Sequence, residues 1–572
     1  MNRLNHSYSG DFFDRKRAFR VVFAILLPLL FLGQGSKLFG QPQTTQEISQ
    51  FGITWTFDQP VEFGQFANGD YWVVGPVTIV DILPPSTEIN GRVSNGSMIN
   101  PSPVNGTTQG YDSSMYRNYG PSFDPALNVA RPNNQSLSSS NPLVVPTSSS
   151  LVSSISIEDE GARPQLETAA ILTVLDEVAP DGSFRPAYSG TDKSIRFHKD
   201  QIDWSLLKNL PHVESTPQMS VVERYFERPW IDHVPGWLGD YHHPTGNLPN
   251  YGRDISARVG IGAVMLHLDF PQAEKEKLLY RYLQVGIDLY GVVNDGGQDN
   301  WVPNGGHASG RKWPIVFAGL MFADTNMQNI GPGDGTGAAY FGEDAQTFFV
   351  TQSDIDASHN PDTRGCEPTE YDQSDLGLPE WGIRHATSSS KDNKSWCAVY
   401  RTCCTANSWA GFVLAAHLMD AKEIWNHDAL FDYQDRYMDR ETPGEWTRCF
   451  DPFTEVMWDT YRDVSIPSET NLNLVGISGD GTAQLSWSPS VTGPATATWR
   501  IQTRTDLLPA PVLAADDLPL NTRMYDVEGL QNGTRYTISL ELMSDDMATA
   551  SESISVTPRN FSDFLFLPFA GR

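Results

Sequence analysis

QAEKEKLLYRYLQVGIDLYGV, residues Gln272 to Val292, is the stretch on which the reading of the fold turns. Pro271 opens it, and Leu278, Leu279, Tyr282, Leu283, Val285, Gly286 and Leu289 share one broad face at helical spacing. An amphipathic helix of that length needs a partner for its apolar face. The neighbouring sequence offers several. Arg253 to Leu268 repeats the same spacing, and Ser220 to Trp230 is a shorter candidate. Pro314 to Phe322 and Thr405 to Met419 are apolar nearly all round, which predicts burial. Long loops rich in Gly, Asn and Asp separate these segments. Residues 215–465 are therefore expected to form an α/α toroid, a helical barrel with its chemistry on the loops. The visible helices are too few for a closed ring, so an open ring and unrecognised helices both remain as alternatives.

The pattern changes on either side. Residues 45–200 form a β-rich N-terminal region: Ile53 to Phe57 alternates, and Asn68-Gly69 marks a hairpin between it and Tyr71 to Val74. Val77 to Val80 and Ala169 to Val178 are further strand candidates. Between them lies a stretch dense in Asn, Ser, Gly and Pro, either long loops on a β-domain or a partly disordered linker. Past residue 467, short alternating strands recur to residue 558, among them Ala483 to Trp487 and Thr496 to Thr503. Leu530 precedes Tyr536 by six residues within GLQNGTRYTISL. This part resembles a fibronectin type III β-sandwich. The resemblance implies that Trp487 is its core tryptophan and Tyr536 its corner tyrosine, in a module that spaces or docks domains. Residues 559–572 form a C-terminal tail, apolar from Phe561 to Phe569.

A chain of 572 residues exceeds what one core organises, so several domains are expected. Its 40 Lys and Arg against 69 Asp and Glu leave a net charge of −29, which argues against a nucleic-acid partner. Residues 1–40 read as an export signal. Arg15, Lys16, Arg17 and Arg20 precede an apolar run from Val21 to Leu32, and small residues follow. The run falls short of the ~20 residues a membrane span needs. A membrane anchor is the alternative, and no stable insertion is expected after signal removal. A secreted, periplasmic or cell-surface location follows. There disulfides are permitted, and the five cysteines are expected to form one or two bridges between loops. No CxxC pair occurs, so structural zinc is not expected.

Three stretches carry candidate chemistry. WVPNGGHASGRKWP, Trp301 to Pro314, presents Asn304, His307, Arg311 and Lys312 at a helix start, with no acid before Phe322. A helix N-terminus with cations favours an anionic ligand. A solvated capping loop is the plainer reading. Between Trp381 and Met419, Arg384, Lys391, Lys394 and Arg401 face the single acid Asp392, beside His385. Arginine grips carboxylates bidentately, though pairing with distant acids explains it equally. Cys403-Cys404 is read as a disulfide or buried pair before a nucleophile. The third stretch holds Asp240, Tyr241, His242 and His243, followed by Tyr251, Arg253 and Asp254. Adjacent histidines rarely share one ion, so neither metal nor cofactor is expected. Trp237, Trp301, Trp313, Trp381 and Trp396 lie in these same loops, where indole faces stack on sugars as readily as they fill cores.

Arg, His, Asn and Tyr together suit β-elimination on a uronic acid polymer. That reaction needs a neutraliser for the carboxylate, a base for the C5 proton and an acid for the departing O4. With its export signal, helical middle and the NGGH and WGIRH stretches, the middle region resembles secreted helical-barrel polysaccharide lyases of the glucuronan and alginate group. The NNHSYW motif of one alginate lyase family is absent. The resemblance implies His307 or His385 as base or neutraliser, and Tyr371 or Tyr251 as the proton-transferring tyrosine. It implies Asn304 in neutralisation, Arg253, Arg311, Lys312, Arg384 and Arg401 on carboxylates, and Trp301 and Trp381 against sugar. Two alternatives stand beside it. One is a glycoside hydrolase on the same toroid, using acids such as Asp254 or Glu380. The other is a non-catalytic carbohydrate-binding cell-surface protein.

Overall fold

The computed structural model describes residues 43–103, 109–114, 123–159, 164–247, 252–333, 339–359, 371–382, 399–444, 448–462, 472, 474–488, 498–505, 512–544 and 547–559. The expected export segment, the apolar tail from Phe561 to Phe569, and the candidates Tyr251, Arg384 and His385 lie outside these residues. The chain is multidomain, with a β-rich N-terminal region, a helical middle and C-terminal β-sheets.

The N-terminal region consists of β1 (Thr44–Gln50), β2 (Ile53–Gln65), β3 (Tyr71–Val74), β4 (Val77–Leu83), a small ribbon of β5 (Thr87–Ile89) and β6 (Arg92–Ser94), β7 (Ser97–Ile99), β8 (Leu143–Val145), β9 (Ser149–Ser156) and β10 (Leu166–Leu175). The main sheet runs β7-β9-β10-β3-β2-β4-β8, with β1 also on β2, and is barrel-like and nearly closed. The long β2 makes this possible. Its first half pairs with β4 and its second half with β3. Alternation decides which face is buried: Ile53, Trp55 and Phe57 are buried, whereas Thr54 and Thr56 are only partly so. The Asn68-Gly69 turn forms as expected, with Gly69 in the left-handed region at φ 94°.

Strand β10 lies between two cores. Ala170, Leu172 and Val174 face the barrel interior, and Ala169 and Ile171 join the core of the helical middle. A strand covered on both faces reads as a continuous apolar run, which is how residues 169–175 look. In the described parts of the Asn- and Ser-rich stretch, side chains stand in for missing strand partners. The Ser97 N–H donates to Asn128 Oδ1, that of Ser150 to Asn100 Oδ1 and that of Ser156 to Asn95 Oδ1. Those parts are loops tied to the β-domain.

The helical middle contains α1 (Met219–Glu223), α2 (Gly252–Leu266), α3 (Gln272–Val292), α4 (Lys312–Met321), α5 (Thr325–Gln328), α6 (Gly342–Gln346), α7 (Gln352–His359), α8 (Val399–Cys403), α9 (Ala410–Leu418), α10 (Lys422–Trp425), α11 (Asp428–Arg440) and α12 (Pro452–Tyr461). A ribbon of β11 (Thr347–Phe349) and β12 (Pro379–Trp381) interrupts them. Helix α3 spans the residues its periodicity predicts. Two expected helices break. The Ser220 to Trp230 candidate becomes α1 and a 3-10 turn, and the Thr405 start becomes a 3-10 turn before α9. Helix α2 packs on α9 where Gly260 and Gly411 meet: a Cβ on Gly260 would lie 2.9 Å from the Gly411 Cα.

The C-terminal strands are β13 (Val475–Ser478), β14 (Thr482–Ser486), β15 (Thr498–Thr505), β16 (Val512–Pro519), β17 (Met524–Glu528), β18 (Tyr536–Ser544) and β19 (Met547–Val556). They form a three-stranded sheet, β13-β14-β17, and a four-stranded sheet, β16-β15-β18-β19. Leu485, Trp487, Val527, Trp499, Ile501 and Leu540 from the two sheets share one core.

Arg185 clamps the N-terminal region to α3. Its Nε donates to Asp70 Oδ2 at 2.7 Å, and its two terminal nitrogens to the Asp288 carboxylate at 2.9 and 2.6 Å. Burial opposes the charge, but the two carboxylates outweigh it and hold the guanidinium above its ordinary pKa. The cysteines behave differently from expectation. Cys403 bonds to its neighbour Cys404, so this bridge joins no loops, and Cys449 is buried as a thiol. Cys366 and Cys397 lie outside the described residues.

Arg185→Met strands two buried carboxylates, and urea unfolding should show a loss of about 3–5 kcal/mol. A loss below about 1 kcal/mol would show that the clamp does not join the two regions. Peptide mapping without reduction should recover Cys403 and Cys404 in one peptide, two hydrogens lighter than the dithiol. Alkylation of both before reduction would exclude the adjacent bridge.

Candidate functional site: the 301–311 loop and its buried carboxylate

Asp232 is the centre of the best-defined polar cluster. It follows Trp230 and Ile231, both buried, so its side chain enters the interior with them. Its Oδ2 accepts the indole N–H of Trp301 at 3.1 Å and the Nε–H of Arg311 at 2.8 Å. Its Oδ1 lies 3.6 Å from His243 Nε2. The Asp232 N–H donates to the Tyr188 hydroxyl at 2.8 Å, and its carbonyl accepts from Asn300 Nδ2 at 3.2 Å. Burial pushes the carboxyl up, but Arg311 and His243 outweigh that and hold it well below the usual carboxylate range.

The loop from Trp301 to Arg311 is thereby fixed at both ends. Arg311 Nη1 also donates to the carbonyls of His307 and Ser309, at 3.0 and 2.9 Å. The His307 N–H donates to the Asn304 carbonyl at 3.2 Å, closing a turn that holds both side chains near the surface. There the His307 ring meets the buried Tyr241 ring edge-on, with centroids 6.4 Å apart.

This placement sorts the expected residues. Asn304, His307, Arg311 and Trp301 come together. Arg311 and Lys312, expected on substrate carboxylates, are instead buried on interior acids: Arg311 on Asp232, and Lys312 on Asp344 and the Trp425 carbonyl. Trp301 stacks on Phe341 and Trp313 on Trp425, so both indoles fill cores and present no face to a sugar. Trp381 is buried as well. Tyr371 packs in a separate small cluster with Val350 and Ile355, away from His307. Arg253 donates to the Cys403 carbonyl at 2.7 Å and lies over the Phe450 ring. Arg401 keeps part of its surface while pairing with Glu441 at 3.1 Å and Glu380 at 3.9 Å.

Sequence reasoning missed Asp232 and set Tyr241 aside. One signal existed: Asp232-His233 is a polar pair inside the otherwise apolar run WIDHVP. It also missed Glu343, whose Oε2 accepts the Gly310 N–H at 3.1 Å. Burial, with Asp344 beside it, pushes Glu343 up to about 8. Among the described residues, no group of three or more His, Cys, Asp or Glu is arranged to hold a metal ion. No helix among them is long and apolar enough to cross a membrane. A groove of ≈ 740 Å³ lies elsewhere, between β11 and the start of α11, and Glu423 and Asp428 make it acidic.

No family model matches the chain, and no curated protein matches it. A solved structure titled "Myokine structure" is similar at 16% identity over 17% of this chain and 99% of that chain, with a TM-score of 0.14. A likeness that slight carries no argument about fold or function.

His233 lies beside this cluster, edge-on to Tyr111 and Tyr188, with neither ring nitrogen hydrogen-bonded. Burial, then His242, pushes it from the ordinary 6.5 down to about 3. Unfolded, it takes a proton near pH 6.5; folded, it resists until about 3. Its contribution to stability is therefore complete above pH 6.5 and drains away as pH falls toward 3. His267 adds a second drain over the same window. His233→Phe should lose less urea stability between pH 7 and 4 than the parent protein does. Equal losses would show that His233 does not drive acid sensitivity.

Proposed function

We propose that the chain is an exported polysaccharide lyase that cleaves a uronic-acid polymer, such as alginate or glucuronan, by β-elimination. The observation that carries this reading is the His307–Tyr241 pair, with Asn304 on the same turn. In this reading His307 takes the C5 proton, and the electron pair left behind forms the C4–C5 double bond. The bond to O4 breaks, and the Tyr241 hydroxyl returns a proton to that oxygen. The Asn304 amide neutralises the carboxylate by hydrogen bonding, which makes the C5 proton easier to remove. Tyr241 thus takes the role that the resemblance gave to Tyr251 or Tyr371. The reaction needs no redox step, because one proton is removed and one is returned.

The hydrolase alternative needs two carboxyl groups facing a sugar. Glu343 and Asp344 are neighbours, but both are fully buried, and Asp344 is bonded to Lys312 and the Trp425 indole. Asp254 and Glu380 each lie against a cation of the protein, Asp254 3.8 Å from Arg253 and Glu380 3.3 Å from Arg436. The acidic groove repels a polyanion, so the uronate is assigned to the His307 loop.

Two architectural proposals accompany this reading. The helical middle is an open α/α toroid, in which α2 packs along α9 and α12, and α3 along α4. The C-terminal sheets are a fibronectin type III module that displays or spaces the enzyme. The three-plus-four strand arrangement supports this, as do the buried Trp487 and the Tyr536 hydroxyl that accepts the Gln531 N–H at 3.0 Å.

Incubation with a panel of uronic-acid polymers should produce the ultraviolet absorbance of an unsaturated uronate, undiminished by chelator. His307→Ala and Tyr241→Phe should each lower the rate by at least ~100-fold with melting unchanged. New reducing ends without that absorbance would identify a hydrolase. Binding without cleavage would identify a carbohydrate-binding protein.

A further inference from the structure

Two short loops have to meet for His307 to face Tyr241, and neither belongs to a helix that would hold it. The first runs from Trp301 to Arg311. The second leaves Asp232 and reaches Tyr241 through the 3-10 turn Gly236–Tyr241. One carboxylate touches both. Asp232 Oδ2 accepts from Trp301 at the start of the first loop and from Arg311 at its end. Asp232 Oδ1 faces His243, two residues beyond Tyr241. Arg311 then passes the constraint on, through its hydrogen bond to the His307 carbonyl. Asn300 adds a second stitch to the carbonyls of Asp232 and His233, and Gly236 donates to the Asn300 carbonyl at 2.7 Å.

We propose that Asp232 is a positioning residue: its buried carboxylate sets the distance and angle between His307 and Tyr241. Asp232 touches no substrate and transfers no proton. It and Arg311 are each 1% exposed, so the pair faces only protein. The other buried pair beside this loop, Lys312 with Asp344, ties α4 to the Trp425 carbonyl at the end of α10. Asp232 is therefore the side chain that ties both ends of the first loop to the second, and its removal leaves only the Asn300 stitch at the loop's start. Its catalytic consequence rests on the lyase reading, whereas its geometric consequence does not.

Asp232→Asn alone strands a buried guanidinium and invites misfolding. The informative variant combines Asp232→Leu with Arg311→Met, which removes both charges and fills the space with apolar atoms. Such replacements of buried ion pairs commonly keep stability. Trp301→Phe is a milder second variant, which keeps an aromatic ring against Phe341 and removes the N–H to Asp232 with the rest of the pyrrole ring. Two readouts apply to each. The first is the rate at which diethyl pyrocarbonate modifies His307, followed by peptide mass spectrometry on the full chain. The second is the split between kcat and KM on the polymer that the parent protein cleaves.

The double variant should melt close to the parent, and its His307 should be modified at least ~3-fold faster. Its kcat should fall ~100-fold with KM little changed, because a misplacement of about 1 Å costs that much. Trp301→Phe should move both readouts in the same direction by less. His307 reactivity at the parent level in either folded variant would overturn the proposal. If the parent protein cleaves no uronate, the lyase reading fails, and the His307 modification rate still decides the role of Asp232.

Discussion

The most deeply buried cations of this molecule each meet an acid, and much of its arrangement follows from those pairs. Removing an ion from water costs several kcal/mol, and only a close counter-charge with well-made hydrogen bonds offsets it. Among the described residues, the three most deeply buried cations are Arg185, Arg311 and Lys312. Each lies on an acid far away in the sequence. Arg185 joins Asp70 to Asp288, Arg311 joins Asp232, and Lys312 joins Asp344. The first clamps the β-rich region to α3. The second holds the 301–311 loop, and the third pins the start of α4 to the end of α10. Ion pairs of this kind add little net stability over apolar packing, but they tolerate few alternative arrangements. Their effect here is to select one register between parts that apolar packing alone would allow to slide.

How far the fold was legible depended on whether the deciding contact was local. Helix α3 was fully legible because its apolar face repeats over 21 residues with a proline at its start. The β2–β3 hairpin was legible because Asn68-Gly69 fits a turn that requires positive φ. Strand β10 was legible as a strand but not as a wall shared by two cores, because its second face joins the core of the helical middle, built from residues distant in the chain. The breaks at Arg224 and Thr405 were not legible. They occur where tertiary contacts end a helix that periodicity would have continued. The Cys403–Cys404 bond was offered as one of two readings of that pair, and composition could not choose between them.

The site was legible in outline and misread in detail, for one physical reason. A stretch without acids looks like an anion-binding loop when read along the chain. Arg311 sits 79 residues from Asp232, so the acid that neutralises it lies outside any local window. The same holds for Lys312 and Asp344. What sequence alone picked out was a Gly-rich loop carrying Asn304 and His307, and both side chains stand near the surface there. What it could not locate was Tyr241 opposite, because that pairing is made through the folded position of Asp232.

Charge bookkeeping sharpens what the loop can offer a polymer. Because Arg311 and Lys312 cancel interior acids, they add no positive potential outside. The surface therefore keeps nearly the whole imbalance of a chain at −29. In the proposed lyase reading, a uronate chain approaching that surface is opposed, and salt screens the opposition beyond a Debye length of about 8 Å. Recognition of the carboxylate must then be made at contact, by hydrogen-bond donors held in place before the ligand arrives. A loop sewn at both ends to one buried carboxylate supplies that, because neither its donors nor its imidazole must be ordered on binding. In the proposed lyase reading, the acid that makes the interior costly to build is thus also what holds the turn in place for the work that free arginines were expected to do.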